Sequence, residues 1–313
     1  MENSTLFISF VLSAYENVGL LKYFYFPIMI VLYIAIVLAN TMLIVVISME
    51  RKLHQPMYLF LCSLFVNELY GSAAILPFFM VQVLSDTHVV PAHFCYLQIY
   101  IIYTYASIEF CNLAAMAYDR YVSICYPLQY HVIMTTNRVF MIIMLVWIYS
   151  FIKFSVTLSL SLSLTLCGNI VDKVYCNNYS LVKLACSDTT VNNYYGLFGT
   201  FLSVAVPLVP ISFSYIKIFC ICLRSSKETR QKAISTCTPQ LASLINFSFG
   251  CLFEIMQSRF DKIYFPTVLR IISLYFMVCQ PLFNPVLYGL NLSIIRQHCK
   301  TFLYTKICHA RTI

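Results

Sequence analysis

Of the 313 residues in the chain, 60% are hydrophobic and only 10% are charged, whereas soluble domains are nearer half apolar and a quarter charged. This balance excludes an ordinary soluble domain and predicts an integral membrane protein. The net charge of +8 does not require a nucleic-acid surface, because most Lys and Arg fall on one side of the membrane in the topology derived below. We therefore expect no nucleic-acid partner.

Seven runs of the chain are apolar and long enough to cross ~30 Å of hydrocarbon as a helix, which takes about 20 residues. They are predicted at residues 24–49, 57–84, 95–118, 138–162, 194–220, 235–256 and 265–289. The expected fold is therefore an all-α membrane protein, in which residues 1–313 form one domain that contains a seven-transmembrane helix bundle. The bundle takes residues 24–290, between an extracellular tail (residues 1–23) and a cytoplasmic helix and tail (residues 291–313).

The distribution of positive charge sets the orientation. With the N-terminus outside, thirteen of the twenty Lys and Arg lie on the cytoplasmic side and six lie outside. The tail has neither the basic segment nor the cleavage site of a signal peptide. It carries an Asn-x-Ser/Thr sequence at Asn3, where we expect glycosylation because the tail is extracellular.

Two acids, Glu68 and Glu109, fall inside the predicted second and third helices. Carboxylates within a membrane normally face the bundle interior and need a partner. Two acids in close contact would share one cation or one proton, whereas two separate acids would each be hydrogen-bonded as a structural group. Both readings remain open from these residues.

An adjacent acid and base, Asp119 and Arg120, stand at the cytoplasmic end of the third helix. A charge near hydrocarbon costs several kcal/mol unless it is paired or reaches water. The pair therefore indicates a switch or relay at the membrane face. The alternative is a solvated helix end without a further role.

Four of the fourteen cysteines lie on the oxidising side of the membrane in this topology. Cys95 begins the third helix, and Cys167, Cys176 and Cys186 fall in the long loop before the fifth. Four cysteines allow three pairings, and the sequence alone does not choose among them.

The last predicted helix contains Pro281 and Pro285, which free backbone carbonyls for neighbouring polar groups. Asn284 and Pro285, followed by Tyr288, form its most switch-like segment. After it, residues 291–303 alternate apolar and basic positions at helical spacing, which predicts a short amphipathic eighth helix on anionic membrane lipid. Cys299 and Cys308 are either palmitoylated there or plain thiols.

Several motifs recur in order along nearly the whole chain: LHQPMY at residues 53–58, MAYDRYVSIC at 116–125, KAISTC at 232–237 and PLFNPVLY at 281–288. Arg120 also follows Cys95 by 25 residues. Together with seven helices, these motifs resemble the odorant receptor family of rhodopsin-class G-protein-coupled receptors. Residues 236–241 and 246–248 resemble its fish branch. Residues 247–249 depart from the family, since Phe-Ser-Phe replaces the usual Phe-Tyr-Gly.

The resemblance implies activation by a small-molecule odorant bound within the helix bundle, and coupling to a heterotrimeric G protein of the stimulatory, olfactory type that raises cyclic AMP. It also implies a multi-pass protein in the plasma membrane of an olfactory sensory neuron. It implies no enzymatic activity, and the chain has neither a His-Glu-x-x-His nor a Gly-x-Ser-x-Gly motif. No cofactor is expected other than a bound sodium ion.

The resemblance also assigns roles to individual residues. The coupling switch would consist of Asp119, Arg120, Tyr121, Tyr215, Asn284, Pro285 and Tyr288. The disulfides would be Cys95–Cys176 and Cys167–Cys186, and the sodium site would include Glu68, Glu109 and Asn284. Beyond sodium, no metal is expected.

The ligand would contact the upper third, fifth and sixth helices at Ile102, Tyr103, Ala106, Ser107, Ser203, Phe247, Ser248, Cys251 and Ile255. For each of these residues, ordinary core packing is the alternative. Other readings of the chain are a rhodopsin-class receptor for a non-odorant small molecule, and a small membrane transporter or channel. The chain lacks the internal repeat that transporters usually show.

Overall fold

The structure, a computed structural model, describes residues 8–15, 22–259, 275–291 and 296–297. Its helices are α1 (Lys22–Met49), α2 (Pro56–Leu84), α3 (Ala92–Cys125), α4 (Tyr130–Ile133), α5 (Thr136–Leu162), α6 (Asn178–Lys183), α7 (Thr190–Arg224), α8 (Lys227–Arg259) and α9 (Tyr275–Asn291). A short 3-10 turn, Arg51–Leu53, links α1 to α2. Seven of these helices are long, and they confirm the predicted seven-helix bundle.

The outer faces of the bundle suit a lipid environment. Among the described residues, α1, α2, α3, α5 and α7 are each long and apolar enough to cross a membrane. Large apolar side chains such as Leu38, Met144 and Phe201 point outward and are more than half exposed. In water such a surface would be unfavourable, whereas hydrocarbon accepts it.

The helices run further than the apolar runs that predicted them. The third was predicted at 95–118, but α3 extends from Ala92 to Cys125. Polar residues continue the helix because its backbone hydrogen bonds are satisfied internally. It ends where Tyr126 adopts φ −133° and ψ 57° before Pro127, since a residue that precedes Pro avoids helical angles. The first helix likewise begins at Lys22 and not at residue 24.

Some predictions fall outside the described residues. These are Asn3, residues 265–274 of the seventh span, and Cys299 and Cys308. Of the predicted eighth helix, only residues 291, 296 and 297 are described, so the helix stays a prediction.

Helix α3 is at the centre of the bundle and packs against α2, α5, α7 and α8. It approaches α2 closely at Gly71, where a Cβ would lie only 2.5 Å from the ring of Tyr105. A chain of hydrogen bonds further links three helices: Trp147 Nε1 donates to Ser63 Oγ over 3.0 Å, and Ser63 donates to Asn112 Oδ1 over 3.1 Å. These contacts fix the positions of the polar residues on α2 and α3.

A three-stranded sheet forms part of one end of the bundle, and the sequence did not predict it. Strand β1 (Ser9–Leu12) lies in the middle, antiparallel to β2 (Val89–Pro91) and parallel to β3 (Ile170–Val171). Phe10 and Leu12 on β1 are buried. The region predicted as a plain tail, residues 1–23, therefore contains an ordered strand and the first turn of α1.

Candidate functional site

Two of the predicted coupling residues, Asp119 and Arg120, form an ion pair near the end of α3. Arg120 Nη2 lies 2.8 Å from Asp119 Oδ2, and the hydroxyl of Tyr130 donates to Asp119 Oδ1 over 2.7 Å. The Asp119 side chain is fully buried, whereas that of Arg120 is 14% exposed. Burial and the neighbouring Asp119 carboxylate raise the pKa of Tyr130, so its phenol stays protonated and donates. Asp119 thus restrains Arg120 while Tyr130, on the loop helix α4, holds Asp119.

The other predicted switch residues make no hydrogen bond to this pair in the described part of the chain, and Asn284 instead contacts Glu68 and Glu109. Tyr121 donates to the hydroxyl of Tyr126 over 3.4 Å. The hydroxyl oxygens of Tyr215 and Tyr288 are both buried; that of Tyr288 faces Ser243, whereas that of Tyr215 has no hydrogen-bond partner within the described ranges. A phenol left unpaired in a core costs free energy. A rearrangement that gives the Tyr215 hydroxyl a partner would recover that free energy.

Pro285 explains a polar contact between α1 and α9. Proline has no N–H, so Pro285 cannot donate to the carbonyl of Pro281 one turn earlier. Asn40 Nδ2 donates to that carbonyl instead, over 2.9 Å. Asn284 and Pro285 are both buried, and the break in α9 lies directly beside Asn284.

Glu68 and Glu109 come together in the bundle interior, and both are fully buried. Asn284 Nδ2 donates to both of them, to Glu109 Oε1 over 3.0 Å and to Glu68 Oε1. Tyr105 donates to Glu68 Oε2 over 2.9 Å, and Asn67 donates to Glu109 Oε2 over the same distance. The structure therefore favours two acids in close contact over two separate structural carboxyls.

Several partners of this carboxyl pair were missed in the sequence. Gln280 Nε2 lies 3.2 Å from Glu109 Oε1 and 2.9 Å from Ser243 Oγ, and Ser243 donates to Asn284 Oδ1 over 2.7 Å. The position of Gln280 four residues before Asn284 was an available signal, because such residues share a helix face. Asn67, which directly precedes Glu68, gave no signal because neighbours in a helix point in different directions.

Two disulfides organise the opposite end of the bundle, which we call the disulfide end. Cys95 pairs with Cys176 and Cys167 pairs with Cys186, as the family resemblance implied. Cys95 and Cys176 are both fully buried. The Cys176 amide also donates to Gln98 Oε1 over 2.9 Å. The loop residues on either side of Cys176 are thereby held over α3.

A cavity of about 420 Å³ lies beneath this loop. Small-molecule sites typically enclose roughly 300–1,000 Å³. Its walls come from α3, α5, α7 and α8, and its roof comes from the loop and α6. Seven of the nine predicted ligand contacts line it: Ile102, Tyr103, Ala106, Ser107, Ser203, Cys251 and Ile255.

Phe247 and Ser248 do not line the cavity, contrary to expectation. Phe247 is fully buried below it, with its ring centroid 4.9 Å from that of Phe110 and 6.1 Å from that of Tyr105. Phe247 therefore separates the cavity from the carboxyl pair.

The roof and the α7 wall supply lining residues that the sequence analysis missed. They include Tyr175, Asn177, Asn178, Asn192, Asn193, Tyr195 and Thr200. The Cys95–Cys176 pairing was the available signal for the roof, because it brings residues 175 and 177 over α3. No such signal marked α7, whose rotation is set by packing.

One charged residue, Glu254 of α8, also lines the cavity. Its Oε1 atom is 3.9 Å from Lys173 Nζ and 3.5 Å from Asn177 Nδ2. Burial, and then the Glu254 carboxylate, raise the pKa of Tyr175 well above its ordinary value. This acid is therefore engaged by the roof of the cavity.

Comparison with known proteins identifies the family. The model of the family described as "Olfactory receptor" matches residues 29–306. The chain belongs to the olfactory receptor family. Among its relatives, human olfactory receptors 10A6 and 10A3 are each 33% identical over 298 residues, covering 95% of this chain and 94% of theirs. Mouse olfactory receptor 4B13 is 32% identical over 269 residues, covering 85% of this chain and 86% of its own.

Membership in the family fixes the broad class of the molecule. An olfactory receptor is a multi-pass membrane receptor and not an enzyme, in agreement with the sequence analysis. The seven-helix bundle of this olfactory receptor fits that class.

The carboxyl pair of this olfactory receptor suits a small cation. Its two acids have no Lys, Arg or His in an ion pair with either of them within the described part of the chain. Asn67, whose amide donates to Glu109, has a buried Oδ1 acceptor with no hydrogen-bond partner there. Oxygen ligands of this kind are those that hard cations prefer.

Proposed function

We propose that this olfactory receptor binds its odorant in the 420 Å³ cavity and transmits binding along α3 to a stimulatory, olfactory-type G protein that raises cyclic AMP. The observation that carries the proposal is the position of α3, which lines the cavity at Ile102 and carries the Asp119–Arg120 pair near its other end. At 1.5 Å per residue, Ile102 and Arg120 are about 27 Å apart along one helix. Ligand site and output site thus share a rigid element.

The expected output follows from the charges at Arg120. Asp119 restrains Arg120 in the structure, and a partner that offers better acceptors would draw the guanidinium away. The buried hydroxyl of Tyr215 would gain a partner if Arg120 and the end of α9 rearranged. We further propose an extracellular N-terminus and residence in the plasma membrane of an olfactory sensory neuron, with the segment after α9 on anionic lipid.

The proposal is tested by expressing the receptor in cells without added channels and recording cyclic AMP and membrane current for the same odorant panel. We expect at least one odorant to raise cyclic AMP without any current. Cells that lack the stimulatory G-protein α subunit should lose the response. An odorant-gated current without cyclic AMP would instead support a channel.

We also propose that the carboxyl pair holds a sodium ion, with Glu68, Glu109 and Asn284 among its neighbours. A bound cation would offset the charge of two acids in contact and so stabilise the resting bundle. We expect sodium chloride to raise the melting temperature of the purified receptor by a few degrees relative to choline chloride at equal ionic strength.

The matched variant for this test is Glu109→Gln, which keeps the shape of the side chain and removes one charge. Its melting temperature should not depend on sodium. If the parent receptor is also insensitive to sodium, the two acids are better described as sharing one proton.

A further inference from the structure

Lys153 is a half-buried basic residue far from either end of α5 that no coupling or structural role accounts for. It lies nine residues before the end of α5 at Leu162, about 14 Å along the helix, which is further than a Lys side chain reaches. Its ammonium group turns toward α7 and donates to Ser203 Oγ.

The surroundings of Lys153 are uncharged. Within residues 22–259 and the other described ranges, its ammonium group takes part in no ion pair. The group lies 5.0 Å from the ring centroid of Phe154 and 5.7 Å from that of Tyr149. A hydroxyl and two rings compensate a charge only partly at membrane depth. A carboxylate brought beside Lys153 would supply the counter-ion.

Lys153 borders the cavity. Both Ser203 and Phe154, which contact its ammonium group, line the cavity wall. Gly199 lines the same wall, and a Cβ there would lie 3.9 Å from Lys153 Cε. Because Gly199 has no side chain, the wall stays open beside the lysine. A ligand in the cavity therefore reaches the neighbourhood of the ammonium group.

The only acid among the residues that line the described cavity is Glu254 of α8, and it is already engaged. Glu254 faces Lys173 and Asn177 of the roof, so an amine ligand would have to compete with groups of the protein. At Lys153 the ligand has no such competitor. The balance of charge in the cavity therefore favours an anionic ligand over a cationic one.

The geometry points to a ligand with a carboxylate group, which pairs with Lys153 beside Ser203 while its apolar part extends toward Phe110 and Ile102. Both of those residues line the cavity and supply apolar surface. The inference rests on the proposed odorant site and names the chemical class of its ligand.

The test measures binding without a G protein, so its result is independent of the coupling assay. The purified receptor in lipid nanodiscs is heated at neutral pH with hexanoate, octanoate or decanoate, and with the primary amide and primary amine of the same length. We expect a carboxylate to raise the melting temperature and the matched amide and amine not to do so. The parent receptor alone decides this comparison.

Variants identify the residue. Lys153→Gln should weaken carboxylate binding about tenfold or more, since a hydrogen bond to a charged group is lost. Lys153→Arg keeps the charge and should weaken it less. The matched control is Lys217→Gln. Lys217 is an exposed residue of α7 away from the cavity, and like Lys153 its ammonium group lies over an aromatic ring, 5.6 Å from the centroid of Phe213.

Three outcomes would overturn the inference. The first is that the amides or amines stabilise the receptor as much as the carboxylates do. The second is that no carboxylate of the series stabilises it. The third is that the Lys153→Gln variant binds the carboxylate as tightly as the parent receptor. A receptor that binds carboxylates without raising cyclic AMP would contradict the proposed coupling and leave this ligand class intact.

Discussion

Replacing Arg120 with Ala is expected to abolish the odorant-dependent cyclic AMP response while the amount of receptor at the cell surface persists. Arg120 lies at the end of the bundle where the G protein is predicted to bind. Its guanidinium is 2.8 Å from the buried carboxylate of Asp119. Without Arg120, the guanidinium held beside Asp119 is no longer available to the partner. Asp119 still accepts from Tyr130, so the fold retains part of the contact.

Two variants make this prediction sharper. Arg138→Ala is the matched control, because Arg138 is exposed, lies in the first turn of α5, and its side chain donates to the Ile133 carbonyl over 3.0 Å. It should signal normally. Asp119→Asn should raise basal cyclic AMP, since it removes a partly buried ion pair that we expect to be worth roughly 1–3 kcal/mol. A full odorant response in Arg120→Ala would refute the assigned role.

Replacing both Cys95 and Cys176 with Ser is expected to remove most receptor from the cell surface and to abolish odorant binding. The disulfide joins residues 81 positions apart and is fully buried. Loss of a native disulfide typically costs about 2–5 kcal/mol. It would also release Tyr175 and Asn177, which form the roof of the cavity. Surface labelling and the thermal-shift binding assay measure the two effects separately.

The second disulfide provides a graded comparison. Cys167 and Cys186 are 19 positions apart and exposed, so replacing both with Ser should cost less. Cys220→Ser, which removes an exposed free thiol of α7, should have no effect. Equal surface levels for the Cys95 and Cys176 double variant and the parent receptor would contradict the prediction.

The seven-helix architecture could be predicted from the sequence because an apolar run long enough to cross a membrane is a local signal. The sheet could not, since strand β1 has only four residues and its partners lie at residues 89–91 and 170–171. Such pairing depends on where the helices bring distant segments, which no short pattern in the chain encodes.

The candidate site could also be predicted only in part, because some of its contacts depend on how distant helices pack against each other. Contacts on α3 such as Ile102 and Ser107 were implied by the family resemblance, and they line the cavity. Gln280 and Glu254 depend on how α9 and α8 are rotated against α3, which is decided by packing. Phe247 shows the limit, because it faces the interior as expected but lies one layer below the cavity.

The position of Phe247 has a mechanical consequence. Phe110 lines the cavity and touches Phe247, Phe247 touches Tyr105, and Tyr105 holds Glu68 through its hydroxyl while its ring fills the notch at Gly71. Close-packed interiors transmit displacement and do not absorb it. We therefore expect a ligand that shifts Phe110 by a fraction of an ångström to displace the buried carboxyl pair through only two aromatic rings, those of Phe247 and Tyr105. The ring of Tyr105 is packed against Gly71 and has no free space on that side.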